Sequence, residues 1–312
     1  MTEQSIPPEA VPIRTVSEQT GVNSVTLRAW ERRYGLIKPL RTEKGHRLYR
    51  PEDIERIELI QQWLARGVAV GQVKALLDDA SGDPAAPEAE FGPWESHRRE
   101  ILQAVNALNR AQLEHKLAEL TSLYPPAVLV DQCLEPLLSE YRTAQHRRPL
   151  FGAATRLAFL ESSLAGFFAS ARYRQTVERK APRLLLLDTG RAPDSVTPVI
   201  LAYCLGVNSV RVDFFGPIPQ SECVYAVEQL GSDALLLFSD GAPVADLARQ
   251  QRELSHQLQL PVWLAGRQVA LSDPALEPHC VGQTHGEILM ELAKRLGRET
   301  GSPELTESGV TP

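Results

Sequence analysis

The sequence predicts a multidomain α plus α/β chain with an N-terminal winged helix-turn-helix, a cap formed by a helical bundle, and a C-terminal doubly wound parallel sheet of flavodoxin-like type. Three observations lead to this fold class. Two short helical patterns joined by a glycine-containing turn lie near the N-terminus. A long stretch of helical periodicity begins near residue 94. Beyond Pro182, short apolar runs alternate with helical stretches, which is typical of a parallel sheet covered on both faces.

The helix-turn-helix prediction rests on capping signals. The segment Thr15-Val-Ser-Glu18 has the form of a capping box and predicts the start of a short helix, which Gly21 ends. Asn23 offers an N-cap for a second helix that runs to about Tyr34. Residues 36–49 contain a proline and a Thr-Glu-Lys-Gly turn and predict a basic hairpin, the wing.

A helix follows the wing, because Pro51 suits a first helical turn and Gly67 suits a stop. Residues 70–77 predict one more helix. The remaining boundaries follow from composition and periodicity. We predict a DNA-binding domain at 1–80, a Pro/Gly/Ala-rich linker at 81–93, a four-helix cap at 94–178, an α/β domain at 179–297 and a disordered tail at 298–312.

Four short apolar runs predict the strands of the sheet. They cover residues 183–188, 210–215, 234–238 and 261–264, and a fifth strand is expected around residues 279–281. Helical patterns near residues 194–206, 220–231, 244–259 and 285–297 separate or follow them. Strands that alternate with helices in this way predict parallel pairing.

Composition describes an ordinary globular protein of two or three domains, with 312 residues, 43% hydrophobic and 23% charged. No apolar run is long enough for a membrane span, and the first ten residues lack a signal-peptide pattern, so a cytoplasmic, nucleoid-associated protein is expected. The four cysteines are widely spaced without a CxxC or Cys/His cluster. We therefore expect buried apolar thiols and neither a metal site nor a disulfide framework.

Positive charge is concentrated in one segment. Residues 28–50 hold eight basic and two acidic side chains, a local charge of +6 in a chain of net charge −6, which leaves −12 elsewhere. A phosphate backbone responds to charge placed locally, not to the overall isoelectric point. The segment is consistent with contact to nucleic acid, although a solvated basic face would have the same composition.

The motif in this segment resembles a known family. Thr26-Leu-Arg-Ala-Trp-Glu-Arg-Arg-Tyr-Gly-Leu36, followed by Pro39, Arg41-Thr and Gly45-His-Arg-Leu-Tyr49, is similar to the MerR family of transcription regulators. The likeness covers residues 12–78. Within the family, the chain most resembles the branch that contains the cobalamin-type photoreceptor repressors and the curli activator. It implies a homodimer or higher homo-oligomer that binds double-stranded promoter DNA, where RNA polymerase is a further candidate partner.

Both the pattern and the resemblance select side chains for DNA contact. Residues at the start of the second helix and arginines along it can reach base edges or phosphates, and the wing brings further donors to the backbone. By resemblance, Arg28, Trp30, Arg47 and Tyr49 match DNA-contacting positions, while Trp30 and Tyr49 are alternatively core residues. The complete predicted set is Asn23, Ser24, Thr26, Arg28, Trp30, Arg32, Arg33, Arg41, Lys44, His46, Arg47 and Tyr49.

The resemblance extends to a cobalamin-binding-like module but departs at its ligand positions. The family's cobalt-ligating histidine aligns with Pro193, which has no lone pair to donate to a metal. Cobalamin is therefore not expected as a cofactor, although the outline of a pocket is. The candidate pocket residues carried over from the resemblance are Phe151, Glu161, Ser162, Pro193, Asp194, Ser239 and Gly266.

Three function classes remain open at this point. The first is a DNA-binding regulator with an effector or oligomerisation module, and a cobalamin- or other ligand-sensing repressor is a variant of it. The second is a corrinoid-dependent enzyme, which needs the histidine that Pro193 replaces and does not need a winged helix. The third is a scaffold regulated by a protein partner. No catalytic residue is assigned, and the histidines other than His46, including His97 and His285, are predicted to be solvated.

Overall fold

The computed structural model describes Pro7 and residues 9–78, 93–147, 151–189, 196–239, 244–266 and 274–299. All but the last residue of the predicted linker, and all but the first two of the predicted tail, lie outside the described residues. The domain limits drawn from the sequence stay a prediction.

The N-terminal part folds into helices around a small antiparallel sheet of strand order β1-β3-β2. Its elements are β1 (Val11–Pro12), α1 (Ile13–Thr20), α2 (Ser24–Ala29) continued by a π turn (Trp30–Tyr34), β2 (Leu40–Arg41), β3 (Arg47–Tyr49), α3 (Pro51–Ala65) and α4 (Val70–Asp78). Strands β2 and β3 are the predicted wing hairpin, with Arg41 opposite Arg47. The turn between α1 and α2 also agrees with the prediction, because Gly21 adopts φ +67° and the Asn23 side chain accepts a hydrogen bond from the Thr26 amide at 2.8 Å.

The start of α1 differs from its prediction. The helix begins at Ile13 after an N-cap at Pro12, and no side chain caps it, so the predicted capping box at Thr15 is wrong. The cause is strand β1, in which Val11 pairs with Tyr49 and thereby sets the direction of the chain before the helix. A two-residue strand that depends on a distant partner leaves no periodicity in the local sequence.

The middle of the chain is helical, as predicted. Its elements are α5 (Pro93–Asn106), α6 (Arg110–Leu123), α7 (Pro126–Leu129), a π turn (Val130–Leu134), α8 (Glu135–Arg147) and α9 (Ala153–Tyr173). Helices α7 and α8 are joined through the π turn without a break, so the described residues form four rods. Lys116 is buried between the first two rods, where its Nζ lies 2.8 Å from Glu100 and 3.2 Å from Glu119.

The C-terminal part is a five-stranded parallel sheet of order β5-β4-β6-β7-β8. Its elements are β4 (Arg183–Asp188), α10 (Thr197–Val207), β5 (Arg211–Phe215), α11 (Gln220–Leu230), β6 (Ala234–Phe238), α12 (Val244–Leu258), β7 (Val262–Ala265), a 3-10 turn (Pro274–His279), β8 (Cys280–Gly282) and α13 (His285–Glu299). Counted within this part, the strand order is the flavodoxin-like 2-1-3-4-5. The predicted fold class is confirmed.

Alternation along β4 divides the core into two layers. Leu184 and Leu186 pack with α10 and α13 on one face, whereas Leu185 and Leu187 pack with α11 and α12 on the other. Both faces of the strand are buried, which explains why its sequence is continuously apolar. The carboxyl ends of the strands point towards the helical bundle, and that edge is where doubly wound sheets bind ligands.

The N-terminal part shares one apolar core with the bundle and with α10. The indole Nε1 of Trp30, just beyond α2, donates a hydrogen bond to the Leu123 carbonyl at the end of α6, at 2.9 Å. On the other side of the turn, Arg14 forms an ion pair with Glu178 at 2.6 Å. The helix-turn-helix therefore packs against the remainder of the chain in this structure.

The four cysteines are free thiols, and Cys133, Cys204 and Cys223 are buried, as predicted. Burial raises the pKa of the Cys133 thiol to about 12, so this side chain stays protonated and behaves as a small apolar group. Among the described helices, none combines the length and the apolarity that crossing a membrane requires.

Candidate nucleic-acid interface and inter-domain cleft

The second helix of the helix-turn-helix presents a row of arginines to solvent. Arg28, Arg32 and Arg33 are exposed, and the first two are four residues apart on one face. Asn23 is half-buried because its side chain caps the helix, and Ser24 beside it is also half-buried. Within the described part of the chain, no carboxylate forms an ion pair with these three arginines, which leaves their charge available to a phosphate.

Three of the predicted contacts are buried in the structure. Thr26, Trp30 and Tyr49 are each 0% exposed, which contradicts the placement of Thr26 at an exposed position and agrees with the core alternative for Trp30 and Tyr49. Thr26 and Trp30 lie four residues apart on the face that packs inward with Leu27, opposite Arg28 and Arg32. Burial, together with the charge of Glu31, raises the pKa of the Tyr49 hydroxyl to about 12. These side chains form the core that positions the arginines.

The wing supplies a second group of cations. Arg41, Lys44 and His46 are exposed around Gly45, which has φ +81° and therefore occupies a conformation that other residues disfavour. Arg47 is different, because only 18% of its side chain is exposed. The hairpin thus places the tip of the wing in solvent and turns Arg47 towards α2.

A single carboxylate joins the wing to the helix. Glu31 accepts a hydrogen bond from Arg41 Nη2 through Oε1 and from Arg47 Nε through Oε2. Two cations share one anion, so the trio keeps a net charge of +1 and holds the wing against α2. From the sequence alone, Glu31 is only one of two acidic residues that reduce the positive charge of the segment. Its spacing before two arginines of a predicted hairpin is the signal that would have identified it.

A groove separates the arginine face from the bundle. It has a volume of about 420 Å³, and its walls are Val25, Arg28, Ala29, Arg32 and Arg33 on the N-terminal side and Ser122 of α6 on the other. Together with the Trp30–Leu123 hydrogen bond, this groove shows that the end of α6 lies beside the recognition helix. Access to this face therefore depends on the position of the bundle.

The pocket carried over from the resemblance is not assembled as predicted. Phe151 is fully exposed, and Glu161 binds Arg142 across α8 and α9 at 2.8 Å. Ser162 is exposed and donates to the carbonyl of Phe159 on its own helix. Pro193 and Asp194 lie outside the described residues. The described bundle residues of that set therefore do not line the cleft at the sheet.

Ser239 and Gly266 are in close contact just beyond the carboxyl ends of β6 and β7. The Ser239 amide donates to the Ala265 carbonyl at 2.9 Å, and a Cβ added at Gly266 would meet the Ser239 carbonyl oxygen at 2.1 Å. The resemblance places the nucleotide tail of cobalamin along these two positions. The close approach therefore requires glycine at position 266, and the expectation that cobalamin is not a cofactor stays a prediction.

A different cleft does form between the bundle and the sheet. It has a volume of about 420 Å³ and lies above the carboxyl ends of the strands. Its lining comes from four elements: the rod formed by α7 and α8, the start of α10, the end of β6 and the start of α13. The lining side chains are Asp131, Glu135, Pro136, Ser139, Thr197, Phe238, Gln283, Thr284, His285 and Ile288.

Asp131 links the bundle to the start of α13 at this cleft. Its Oδ1 accepts a hydrogen bond from the His285 amide at 3.1 Å, and its Oδ2 accepts one from the Gly286 amide at 2.9 Å. These amides open α13, so a carboxylate from the bundle satisfies donors that a helix start leaves without internal partners. The side chain of His285 is buried beside the same carboxylate, and the prediction that it is solvated is wrong.

His97 is a second histidine that was predicted to be solvated and is not. Its Nε2 lies 3.1 Å from the Tyr124 hydroxyl, and its ring packs edge-on against Trp94 and Tyr124. Burial lowers the pKa of His97, and the charge of Lys116 lowers it further. The neutral imidazole is therefore the form that this site favours.

Comparison with known proteins finds relatives of the N-terminal part of the chain. The family described as "MerR HTH family regulatory protein" matches residues 11–80. Over 158 residues, 49% of this chain, the sequence is 37% identical to the "HTH-type transcriptional regulator MlrA" of Escherichia coli. Over 136 residues, 41% of this chain, it is 30% identical to the "HTH-type transcriptional repressor CarH" of Myxococcus xanthus. These alignments span 60% and 45% of the two regulators.

A solved structure shares the fold of the remaining parts. The monomethylamine corrinoid protein of Methanosarcina barkeri superimposes with a TM-score of 0.50 at 11% identity, over 64% of this chain and 98% of that one. At this identity the likeness shows the fold alone. Residues 11–80 are therefore a helix-turn-helix domain of the MerR family, in a chain homologous to MerR-type transcription regulators and joined to a bundle and sheet with the fold of a corrinoid protein.

Proposed function

We propose that this protein regulates transcription by binding promoter DNA through α2 and the wing. The observation that carries the proposal is the row of exposed arginines on the recognition helix, Arg28, Arg32 and Arg33, which have no ion-pair partner among the described residues, beside a wing that adds Arg41, Lys44 and His46. A helix of this kind enters a major groove, where arginine reads guanine edges or holds phosphates. The relatives named as transcription regulators support the same proposal.

Within this proposal, Glu31 positions the phosphate-binding wing. Its carboxylate holds Arg47 through Nε, which leaves the Nη groups of Arg47 to face the backbone of the duplex. A guanidinium fixed in this way loses less conformational freedom on binding than a free side chain does. Glu31 itself is expected to make no contact with DNA.

The bundle and sheet serve as an effector and oligomerisation module in this proposal, and no reaction is assigned to them. The family's cofactor, cobalamin, does not suit the residues present, because Pro193 stands where the cobalt ligand is expected. The protein acts as a homodimer or higher oligomer on a two-fold related operator, at the nucleoid, with RNA polymerase as a candidate partner.

The test uses the full-length chain and duplexes selected from a random library. The selected duplex is titrated by fluorescence anisotropy at 50 and 200 mM KCl. We expect saturable binding that weakens steeply with salt, and a loss of about 30-fold or more in the variant Arg28→Ala/Arg32→Ala. The matched control is Arg249→Ala/Lys294→Ala, which removes the same charge from exposed positions on α12 and α13.

Two results would contradict the proposal. One is the absence of any enriched duplex while the chain remains folded by circular dichroism. The other is equal weakening in the test variant and the control, which would assign binding to overall charge and not to the recognition helix.

A further inference from the structure

We infer that the contact between the recognition helix and the helical bundle is autoinhibitory. In this conformation the start of α2 does not admit a duplex, and the helix-turn-helix moves away from α6 before it binds DNA. This inference rests on the proposed function, because it describes how access to the same DNA-binding surface is controlled. It is carried by the position of the start of α2 and by three contacts that hold the helix-turn-helix in place.

The start of the recognition helix faces other helices of the chain across a narrow groove. Asn23 and Val25 line this groove, which has a volume of about 350 Å³. Its opposite wall is built by α6, the end of α9 and α10, and includes Ala118, Ser122, Phe167 and Tyr203. In helix-turn-helix proteins, the N-terminal residues of the recognition helix are the ones that contact base edges. Here those residues look onto the protein itself.

A groove of this size has no room for a duplex. Volumes of about 300–1,000 Å³ are typical of small-molecule sites. The major groove that receives a recognition helix is about 12 Å wide and has a phosphate backbone on each side, so both flanks of the helix must be free. In this structure α6 occupies one flank, where Ser122 borders a second groove with Arg28 and Arg32. Solvent and small ions reach these arginines, but a stack of base pairs cannot lie along them.

The first contact that holds this arrangement is the hydrogen bond from Trp30 to the end of α6. The indole Nε1 donates to the Leu123 carbonyl at 2.9 Å, and the bond is buried. Leu123 follows Ser122 directly, so this bond sets the distance between the recognition helix and the wall of the groove. A buried donor that loses its acceptor is costly, which favours the closed arrangement.

Two further contacts hold the helix-turn-helix from the other side. At the turn before α2, a Cβ added at Gly21 would lie 2.6 Å from Oδ1 of Asn208 at the end of α10. The Asn208 side chain is itself fixed, because its Nδ2 donates to the Cys204 carbonyl at 2.8 Å. On α1, Arg14 forms an ion pair with Glu178 at 2.6 Å, and about half of each side chain is exposed.

These contacts compete with DNA binding. A duplex binds only the fraction of molecules in which the helix-turn-helix has separated from α6, so the apparent Kd is the intrinsic Kd divided by that fraction. A change that locks the contact should therefore abolish binding, and a change that weakens it should strengthen binding. The ion pair between Arg14 and Glu178 is the best place for both changes, because half-exposed ion pairs contribute little to folding.

The locking experiment uses the full-length variant Arg14→Cys/Glu178→Cys, with Cys280→Ser as background because Cys280 is only half-buried. One sample is crosslinked with dithiobismaleimidoethane, and denaturing electrophoresis identifies the chains that are linked internally. The matched control carries N-ethylmaleimide on each thiol. In anisotropy titrations with the selected duplex, we expect the crosslinked chain to bind at least about tenfold more weakly than the capped chain. Reductive cleavage of the crosslink should restore the affinity of the capped chain.

The releasing experiment compares Glu178→Gln with Glu253→Gln. Each removes one negative charge from an exposed ion pair, and Glu253 pairs with Arg249 on α12 at 2.7 Å. Only the first change weakens the contact between the helix-turn-helix and the remainder of the chain. Glu178→Gln should therefore bind the selected duplex about two- to fivefold more tightly than Glu253→Gln does. Circular dichroism and urea unfolding verify that both variants fold.

The inference is overturned if the crosslinked chain binds the duplex as tightly as the capped chain, because the recognition helix would then be accessible in this conformation. Equal affinities of Glu178→Gln and Glu253→Gln would also overturn it. In both cases the capped chain and the unmodified chain still bind the selected duplex, and the proposed function stands. If neither of them enriches any duplex, the proposed function fails and the inference fails with it.

Discussion

Replacing Arg47 by alanine tests how the wing contributes to DNA binding. In the structure, Arg41 and Arg47 share Glu31, so the trio has a charge of +1. Without Arg47, the remaining Arg41–Glu31 pair is neutral, and one phosphate contact is lost. Each phosphate contact contributes about 0.9 to the slope of log affinity against log salt. The slope of the variant should therefore be shallower by about that amount.

The consequence is measurable between 50 and 200 mM KCl. A slope reduced by about 0.9 makes the loss of affinity over this range about 3.5-fold smaller than in the unmodified chain. The weakening at 50 mM should be the same for the selected duplex and for an unrelated one, because phosphates carry no sequence information. Anisotropy titrations with both duplexes measure this, and Lys294→Ala removes one charge elsewhere as the control. An unchanged slope in Arg47→Ala would remove this residue from the contact set.

The remaining predictions concern charge, packing and pH. Glu31→Gln raises the charge of the trio from +1 to +2 and should steepen the salt dependence of binding to unrelated duplexes, which the same titration measures; an unchanged or shallower slope would contradict the shared carboxylate. Trp30→Phe keeps an aromatic ring but leaves the Leu123 carbonyl without its donor, so urea unfolding should show a loss of about 1–3 kcal/mol. Asp131→Ala removes the acceptor for the amides that open α13 and should cost about 1 kcal/mol in the same assay. Because burial lowers the pKa of His97, the unfolded chain binds more protons than the folded one between that lowered value and about 6.5. Stability should therefore fall as the pH drops below about 6.5, and thermal unfolding of His97→Gln should show a smaller fall than the unmodified chain.

Local sequence patterns were enough to predict those elements whose capping and periodicity signals lie within a few residues of one another. Asn23 caps the recognition helix by accepting a hydrogen bond from the amide of Thr26, three positions away. Its role can therefore be predicted from the adjacent residues. The strand at residues 183–188 is equally local, because a continuous apolar run between turn signals has few alternatives. The exposed arginines on α2 follow from the same helical periodicity.

Burial of polar and aromatic side chains could not be derived in this way. Thr26, Trp30 and Tyr49 are in the core because α1, α3 and α6 pack over them, and a helical period does not reveal how many sides of a short helix are covered. Likewise, the sequence could not show whether the bundle positions carried over from the family would lie at the cleft. Phe151 illustrates the error, since it is in solvent at the start of α9.

The sequence by itself determined the order of elements, the strand-and-helix alternation that produces a parallel sheet, and the cationic surface of the recognition helix and wing, because each depends on neighbours within one or two turns of chain. The tertiary structure alone decided which groups meet across domains. Asp131 and His285 are more than 150 residues apart and come together only because the bundle lies over the strand ends. Contacts of that kind arise from the packing of whole elements, and packing is a property of the assembled surfaces that no local segment of the chain contains.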